Sequence, residues 1–318
     1  MASETTEWTA HSTEPAGVKD TLVEFLSRKR VLMALTLLPA LSLFVIMIVV
    51  PVVWTIAASF NSISAFSPEW TWVGLENYRV VLSDPQFGTV LSRSIYFATG
   101  SVLLQLVLGT GIALLINRSF KLNSVARAVV MLPYLIPTAI VAYLALWMLN
   151  SQWGIINQLL VQAGLINQHI AWLGSPELAM LIIILVNSWK FSIFVTIMVL
   201  ARLQGIPTGF YEAAQMAGAS RFQQFRDITL PNLKGVIFIV LLLRGVWMFN
   251  KFDIIWILTG GGPINVTTTA PIYAYKTAFN QYALGRSAAI STILFGMLSV
   301  VAALYFYRFD PSKEVRVE

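Results

Sequence analysis

An all-α membrane protein with six transmembrane helices is the fold class that this sequence predicts, and three observations predict it. Apolar residues make up 57% of the 318 positions and charged residues only 11%, with a mean hydropathy of +0.73. A soluble domain carries roughly 25% charged residues to clothe its surface, so most of this surface must face lipid. Second, six apolar segments are each long enough to cross the membrane, given the about 20 helical residues that a ~30 Å hydrocarbon core demands. They are Leu32–Ile56, Ile95–Ile116, Ala128–Leu149, Leu178–Leu203, Val236–Leu258 and Ser287–Tyr307. Third, the basic residues segregate. Of 21 lysines and arginines, Arg79, Arg93, Lys276 and Arg286 fall in the segments after spans one and five, and Lys190, Arg244 and Lys251 fall inside spans. The remaining 14 lie in the two ends and in the loops after spans two and four. Cytoplasmic flanks are enriched in Lys and Arg, which predicts both ends inside.

The elements follow in order. Residues 1–30 form a polar cytoplasmic tail without a small-residue cleavage site after a short apolar run, so no cleaved signal peptide is expected. Within it, residues 20–27, with Leu22, Val23, Phe25 and Leu26, fit a short interfacial helix or a disordered tail equally well. Residues 31–307 form the six-span domain and 308–318 a cytoplasmic tail. Pro39 and Pro51 fall in span one, and Pro133 and Pro137 in span three. Two prolines four residues apart predict a kink, which serves either packing or a solute pathway. The outer loops at 57–94, 150–177 and 259–286 have room for turns and short helices but not for independent domains. Trp54 and Trp72, near span ends, fit anchors at the lipid interface.

Composition excludes several functions. There is no Cys, and His11 and His169 are far apart, so no disulfide or metal site is expected. Basic residues are spread between apolar blocks rather than clustered, which argues against nucleic acid. No Gly-x-x-x-x-Gly-Lys-Ser/Thr loop is present, so this chain should not hydrolyse ATP. No Ser–His–Asp set or carboxylate pair sits in a plausible pocket; no catalytic residue, and no cofactor bound by this chain, is expected. Asn265-Val266-Thr267 matches a glycosylation acceptor by chance.

The inner loop at 204–235 is too long for a simple connection. Pro207 can open a helix, placing Glu212 near its positive end. Ala213, Ala214, Ala217 and Gly218 make one flank smooth, and Gly218 can end the helix. A second amphipathic stretch holds Phe222, Phe225, Ile228 and Leu230 and ends at Pro231. On physics alone, a partner-docking element and an interfacial helix pair that merely tidies the loop are equally good accounts.

Glu212-Ala213-Ala214, then Gly218-Ala219, then Ile228-Thr229-Leu230-Pro231 resembles the EAA loop of permease subunits in ATP-binding-cassette importers. The resemblance implies a coupling helix that docks on a cytoplasmic ATPase, with Glu212, Ala213, Ala214, Gly218, Ala219, Ile228, Leu230 and Pro231 as coupling residues. Phe249-Asn250, Phe252-Asp253 and Leu258-Thr259-Gly260-Gly261-Gly262-Pro263, with Val73-Gly74-Leu75-Glu76-Asn77-Tyr78, are similar to carbohydrate-uptake permeases of the maltose and glycerol-phosphate type. The Thr-Gly-Gly-Gly-Pro element is typical of the first of two dissimilar permease subunits. The resemblance covers about residues 31–307. It implies a second permease, two ATP-binding subunits carrying ATP and Mg, and an extracytoplasmic solute-binding protein.

Ionisable groups inside spans point to function by default. Lys190, near mid-span, and Arg244 and Lys251, seven residues apart on one helix face, oppose a single acid, Asp253. They either bond carbonyls and neighbours in the bundle or line a polar cavity. By resemblance, solute contacts fall at Lys190, Phe191, Phe194, Met248, Asn250 and Lys251. Trp189 and Trp247 offer aromatic platforms or simple packing. Lysine beside aromatic rings suits a sugar, and it equally suits an anionic solute such as glycerol phosphate or a uronic acid. A stand-alone secondary transporter or channel would show inverted repeats and paired intramembrane carboxylates. The sequence shows neither.

Overall fold

The computed structural model describes residues 29–64, 66–118 and 121–308. The stretch at 20–27 and the tail beyond Arg308 lie outside the described residues. The chain divides into two units, Met1–Thr55 and Ile56–Glu318. In the first, helix α1 (Lys29–Phe44) runs through a π turn at Val45–Val49 into α2 (Val50–Ser59), and it takes up Lys29 and Arg30 from the expected tail. The Val50 N–H bonds the Val45 carbonyl five residues back, immediately before Pro51. A proline lacks the N–H that would bond residue i−4, and its ring presses on that carbonyl. A turn widened to i−5 just ahead of it makes room.

Five helices of the described residues are long and apolar enough to cross a membrane, or six if one sharply bent pair counts as a single span. In the second unit, the segment after span one forms a β-hairpin as well as a short helix. Strand β1 (Asn61–Ser64) pairs antiparallel with β2 (Ser67–Trp72), and α3 (Glu76–Ser83) follows. Phe60 and Trp72 stack at 5.6 Å. The Asn77 amide donates to the Ser59 and Asn61 carbonyls, both at 2.9 Å, and Tyr78 meets the Ser59 hydroxyl at 2.6 Å. The Val73–Tyr78 motif is therefore the clasp that closes the hairpin.

Span two begins ten residues before its expected start, as α4 (Pro85–Ile116). The Asp84 carboxylate caps the Gln86 N–H at 2.8 Å, with Pro85 in the first turn, a start signal that needs no apolar neighbour. Helix α4 packs along α8 (Ala179–Gln204). At Gly109 any side chain would sit 2.6 Å from the Ser192 carbonyl and from Val195, so glycine sets how closely these helices approach. Span three is broken rather than kinked. Helices α5 (Asn123–Leu135) and α6 (Thr138–Met148) meet at 91°. A short α7 (Ile155–Gln162) precedes α8.

The loop at 204–235 holds α9 (Thr208–Met216) and α10 (Arg221–Gln224). Helix α10 continues through a π turn at Phe225–Thr229 into α11 (Leu230–Phe249). Pro231 therefore does not end the second stretch. It sits in the first turn of α11 behind a Leu230 N–H to Phe225 carbonyl bond, the same device as at Pro51. Span five also stops earlier than expected, at Phe249, and a separate α12 (Asp253–Thr259) follows. Lys251 thus lies in a helix break, not inside a continuous span. Helices α13 (Ala270–Phe279) and α14 (Leu284–Arg308) complete the fold.

Candidate functional site

Two sites take shape, one at mid-bundle and one at the 204–235 loop. At mid-bundle, α8, α11 and the break that follows α11 bring Lys190, Phe191, Phe194, Met248 and Lys251 together with Arg244. The Phe191 ring is the centre: Lys251 Nζ lies 4.3 Å from its centroid, the Arg244 guanidinium 4.9 Å and Lys190 Nζ 5.3 Å. Arg244, 2% exposed, also faces Phe194 at 5.6 Å and Trp247 at 5.5 Å. Each such contact contributes about 0.5–2 kcal/mol. Its Nε donates to Gln105 Oε1 at 2.8 Å. The Gln105 and Asn187 amides both donate to the Met248 sulfur, at 3.4 and 3.1 Å. Gln105 and Asn187 were missed by the sequence reading. Their signal is an amide within an otherwise apolar span, which is costly without a partner.

Lys190 reaches the break in span three. Its ammonium donates to the Pro133 carbonyl at 3.2 Å and to the Ile136 carbonyl. Pro137 has no N–H to offer the Pro133 carbonyl, so Lys190 replaces the missing donor across helices. Lys251 pairs with the Asp253 carboxylate at 2.9 and 3.1 Å on its two oxygens. Asn250 is exposed and donates to Val246 at the end of its own helix, not to the cluster.

From this break a run of aromatic rings leads to α13. Phe252 stacks on Trp256 at 5.5 Å, Trp256 meets Tyr275 at 4.7 Å and Tyr275 meets Phe279 at 4.7 Å. The Thr259–Thr269 segment beside it is tied to itself and its neighbours. Thr259 and Thr267 hydroxyls lie 2.7 Å apart, and Arg93 donates to the Asn265 carbonyl at 2.7 Å. Outside the spans, Tyr273 donates to Asp84 at 2.5 Å. Burial first, and that carboxylate second, push its phenol up to about 12.

At the 204–235 loop, Pro207 caps α9 instead of opening it, so Glu212 lies in the second turn and not near the helix start. Gly218, at φ +79°, ends the helix, with the Ala219 N–H returning to the Ala214 carbonyl at 2.9 Å. Ser220 and Gln223 form a reciprocal capping box for α10. Tyr211 and Thr229 hydroxyls meet at 3.0 Å and tie the loop to the base of span five. Glu212, Ala213, Gly218, Leu230 and Pro231 are exposed; Ala214, Ala219 and Ile228 are half-buried, and Ile228 packs against the core around Ala113 and Val199. The largest exposed apolar groups are Met216 and Phe222, 90% and 69% exposed, with Phe210 beside them. Phe210 and Met216 went unremarked in the sequence, because only the helix ends show which apolar side chains are left without a core. A cavity of about 760 Å³ lies under the loop, lined by Asn117, Arg118, Tyr211, Gln215, Arg221 and Thr229 among others.

Residues 105–314 match the family of binding-protein-dependent transport system inner membrane components, and the chain belongs to it. The trehalose/maltose transport system permease protein MalF of Thermococcus litoralis is 38% identical, over 85% of this chain and 91% of that protein. The sulfoquinovosyl glycerol transport system permease protein SmoG of Agrobacterium fabrum is 34% identical, over 87% and 89%. Among solved structures, a chain of a bacterial ABC transporter involved in the import of the acidic polysaccharide alginate shares the fold, with a TM-score of 0.78, 24% identity, and coverage of 93% of this chain and all of that one. The protein is thus a membrane permease of the ABC-importer type.

Proposed function

We propose that this chain is one of two dissimilar permease subunits of an ATP-driven importer for a sugar or oligosaccharide. The observation that carries the solute class is the run Phe279–Tyr275–Trp256–Phe252, which ends at the Lys251–Asp253 pair. Flat rings stack on the apolar faces of sugar rings, and the pair offers donors and acceptors to hydroxyls. The two relatives named above, for trehalose/maltose and for sulfoquinovosyl glycerol, agree with that class. Six spans with both ends inside follow from the basic-residue distribution, the broken α5–α6 pair counting as span three.

In this reading, two ATP-binding subunits hold ATP and Mg on the cytoplasmic side and grip the loop 204–235 through α9, with Met216, Phe210 and Phe222 as apolar anchors. A permease of the same fold is known in complex with an alginate pentasaccharide-bound periplasmic protein, and a binding protein likewise delivers the solute here. ATP-driven closure moves the loop, and the bundle alternates between inward- and outward-facing arrangements whose free energies differ little. Lys190, Phe191, Phe194, Met248 and Lys251 line or support the solute path.

Tagged chain extracted in mild detergent with its natural neighbours tests the assembly. One copy with a second permease and two ATPase chains is expected. A lone, active chain or homodimer would overturn the reading and favour a secondary transporter. In the same assembly, Gly218→Leu should abolish sugar uptake while leaving membrane insertion intact; wild-type uptake would refute the coupling role.

A further inference from the structure

The mid-bundle cluster is short of negative charge. From Pro85 to Arg308 the sequence has only four carboxylates, Glu177, Glu212, Asp227 and Asp253. Of these, Asp253 is the one bonded to the cluster. Arg244 and Lys190, each 2% exposed, are held by a neutral amide, backbone carbonyls and ring faces. Dipoles of that kind satisfy hydrogen bonds but do not cancel charge, so the field of both cations persists at the Phe191 ring. In a low-dielectric bundle such a field reaches far and is screened little. Lys190 also fastens the helix break, but a site for neutral sugars alone has no use for the Arg244 charge, since an amide would serve hydroxyl groups without the cost of burying a cation. Lys251, its side chain 15% exposed, is the accessible member, and the Asp253 carboxylate beside it is 45% exposed and free to turn aside.

We propose that the solute is an acidic sugar, whose carboxylate or sulfonate comes to rest beside Lys251, with Arg244 and Lys190 supplying the buried positive field. The proposal rests on the sugar-permease reading and narrows it. As the oxyanion arrives, Asp253 gives up Lys251, and the cluster becomes near-neutral only when loaded. A charged solute therefore steadies the loaded state, where a neutral one leaves the cations uncompensated.

The test uses the purified assembly in nanodiscs without its binding protein. Tryptophan fluorescence reports the binding of two probes at matched ionic strength, trigalacturonate and maltotriose. Wild type is expected to bind trigalacturonate at least about tenfold more tightly, a preference that shrinks with added salt. Lys251→Gln should bring the two probes within roughly threefold, whereas Asp253→Asn, which removes the competing carboxylate, should widen the gap. Opposite shifts from two neighbouring substitutions cannot come from misfolding. Equal or tighter binding of maltotriose, or a preference indifferent to both substitutions, overturns the charge proposal and leaves the sugar reading standing. Failure of both probes to bind, up to about 20 mM, overturns the two together.

Discussion

Single residues carry much of this architecture, and Lys190 shows how. The sequence leaves it either bonding carbonyls within the bundle or lining a polar cavity, and in the structure its ammonium donates to two carbonyls at a helix break. Each buried carbonyl left without a donor costs about 1–3 kcal/mol. Lys190→Met should therefore lower the stability of the bundle by roughly 2–4 kcal/mol, read as a drop in melting temperature of the detergent-purified protein. Lys190→Arg, which keeps donors and charge, should recover part of it. An unchanged melting temperature in Lys190→Met would remove the fastening role. Tyr273 offers a second test outside the membrane. Its phenol, normally ionising near 10, is pushed up to about 12 by burial and by its bond to Asp84. A raised folded-state value means that its contribution is complete below pH 10 and is lost as pH rises through 12. Wild type should lose melting temperature more steeply across that interval than Tyr273→Phe, and parallel curves would refute the assignment.

At the scale of elements, the sequence was most legible where apolar length alone decides. Spans four and six appear where hydropathy puts them, and span two ends where it should although it starts ten residues earlier, because lipid demands a minimum length and tolerates no unpaired backbone. The Gly218 helix end was legible too, since only a residue free of a Cβ settles easily at φ +79°. Two elements depart from the sequence for different reasons. Pro231 reads as a terminator, whereas a π turn absorbs it; and hydropathy continues through Asn250–Phe252, where the helix stops. The hairpin at Asn61–Trp72 is fixed by Asn77 and Tyr78 from outside the strands, so no local pattern announces it. Of the mid-bundle site, the cations and Phe191 were legible as charges and rings on two spans, but Gln105 and Asn187 acquire meaning only when α4, α8 and α11 meet at Met248.

For the molecule as a whole, the inner loop and the mid-bundle cluster share one helix. Helices α10 and α11 run without interruption from Arg221 to Phe249, so the base of the 204–235 loop and Arg244 lie on a single rod. Tyr211 joins that rod at Thr229, linking α9 to it. A push on α9 therefore reaches the rod directly, and through it the ring stack at Phe191. The flexible joint of a hinge is absent from this stretch, and the rod is better suited to tilting than to folding.

The π turn at Phe225–Thr229 has a consequence for spacing. It holds one residue more than an α turn would, and each helical residue is worth about 100° of rotation. In a straight α-helix that extra residue would turn Arg221 and the capping box by that angle relative to Arg244; the wider turn absorbs it and keeps them in phase. Deleting a single residue from Phe225–Thr229 would tighten it to an α turn and drive the Pro231 ring into the carbonyl ladder. Such a deletion should abolish uptake and ATPase co-purification while the chain still inserts; conservative substitutions at the same positions should leave both measurable. In this segment the length of the chain is more tightly constrained than its chemistry.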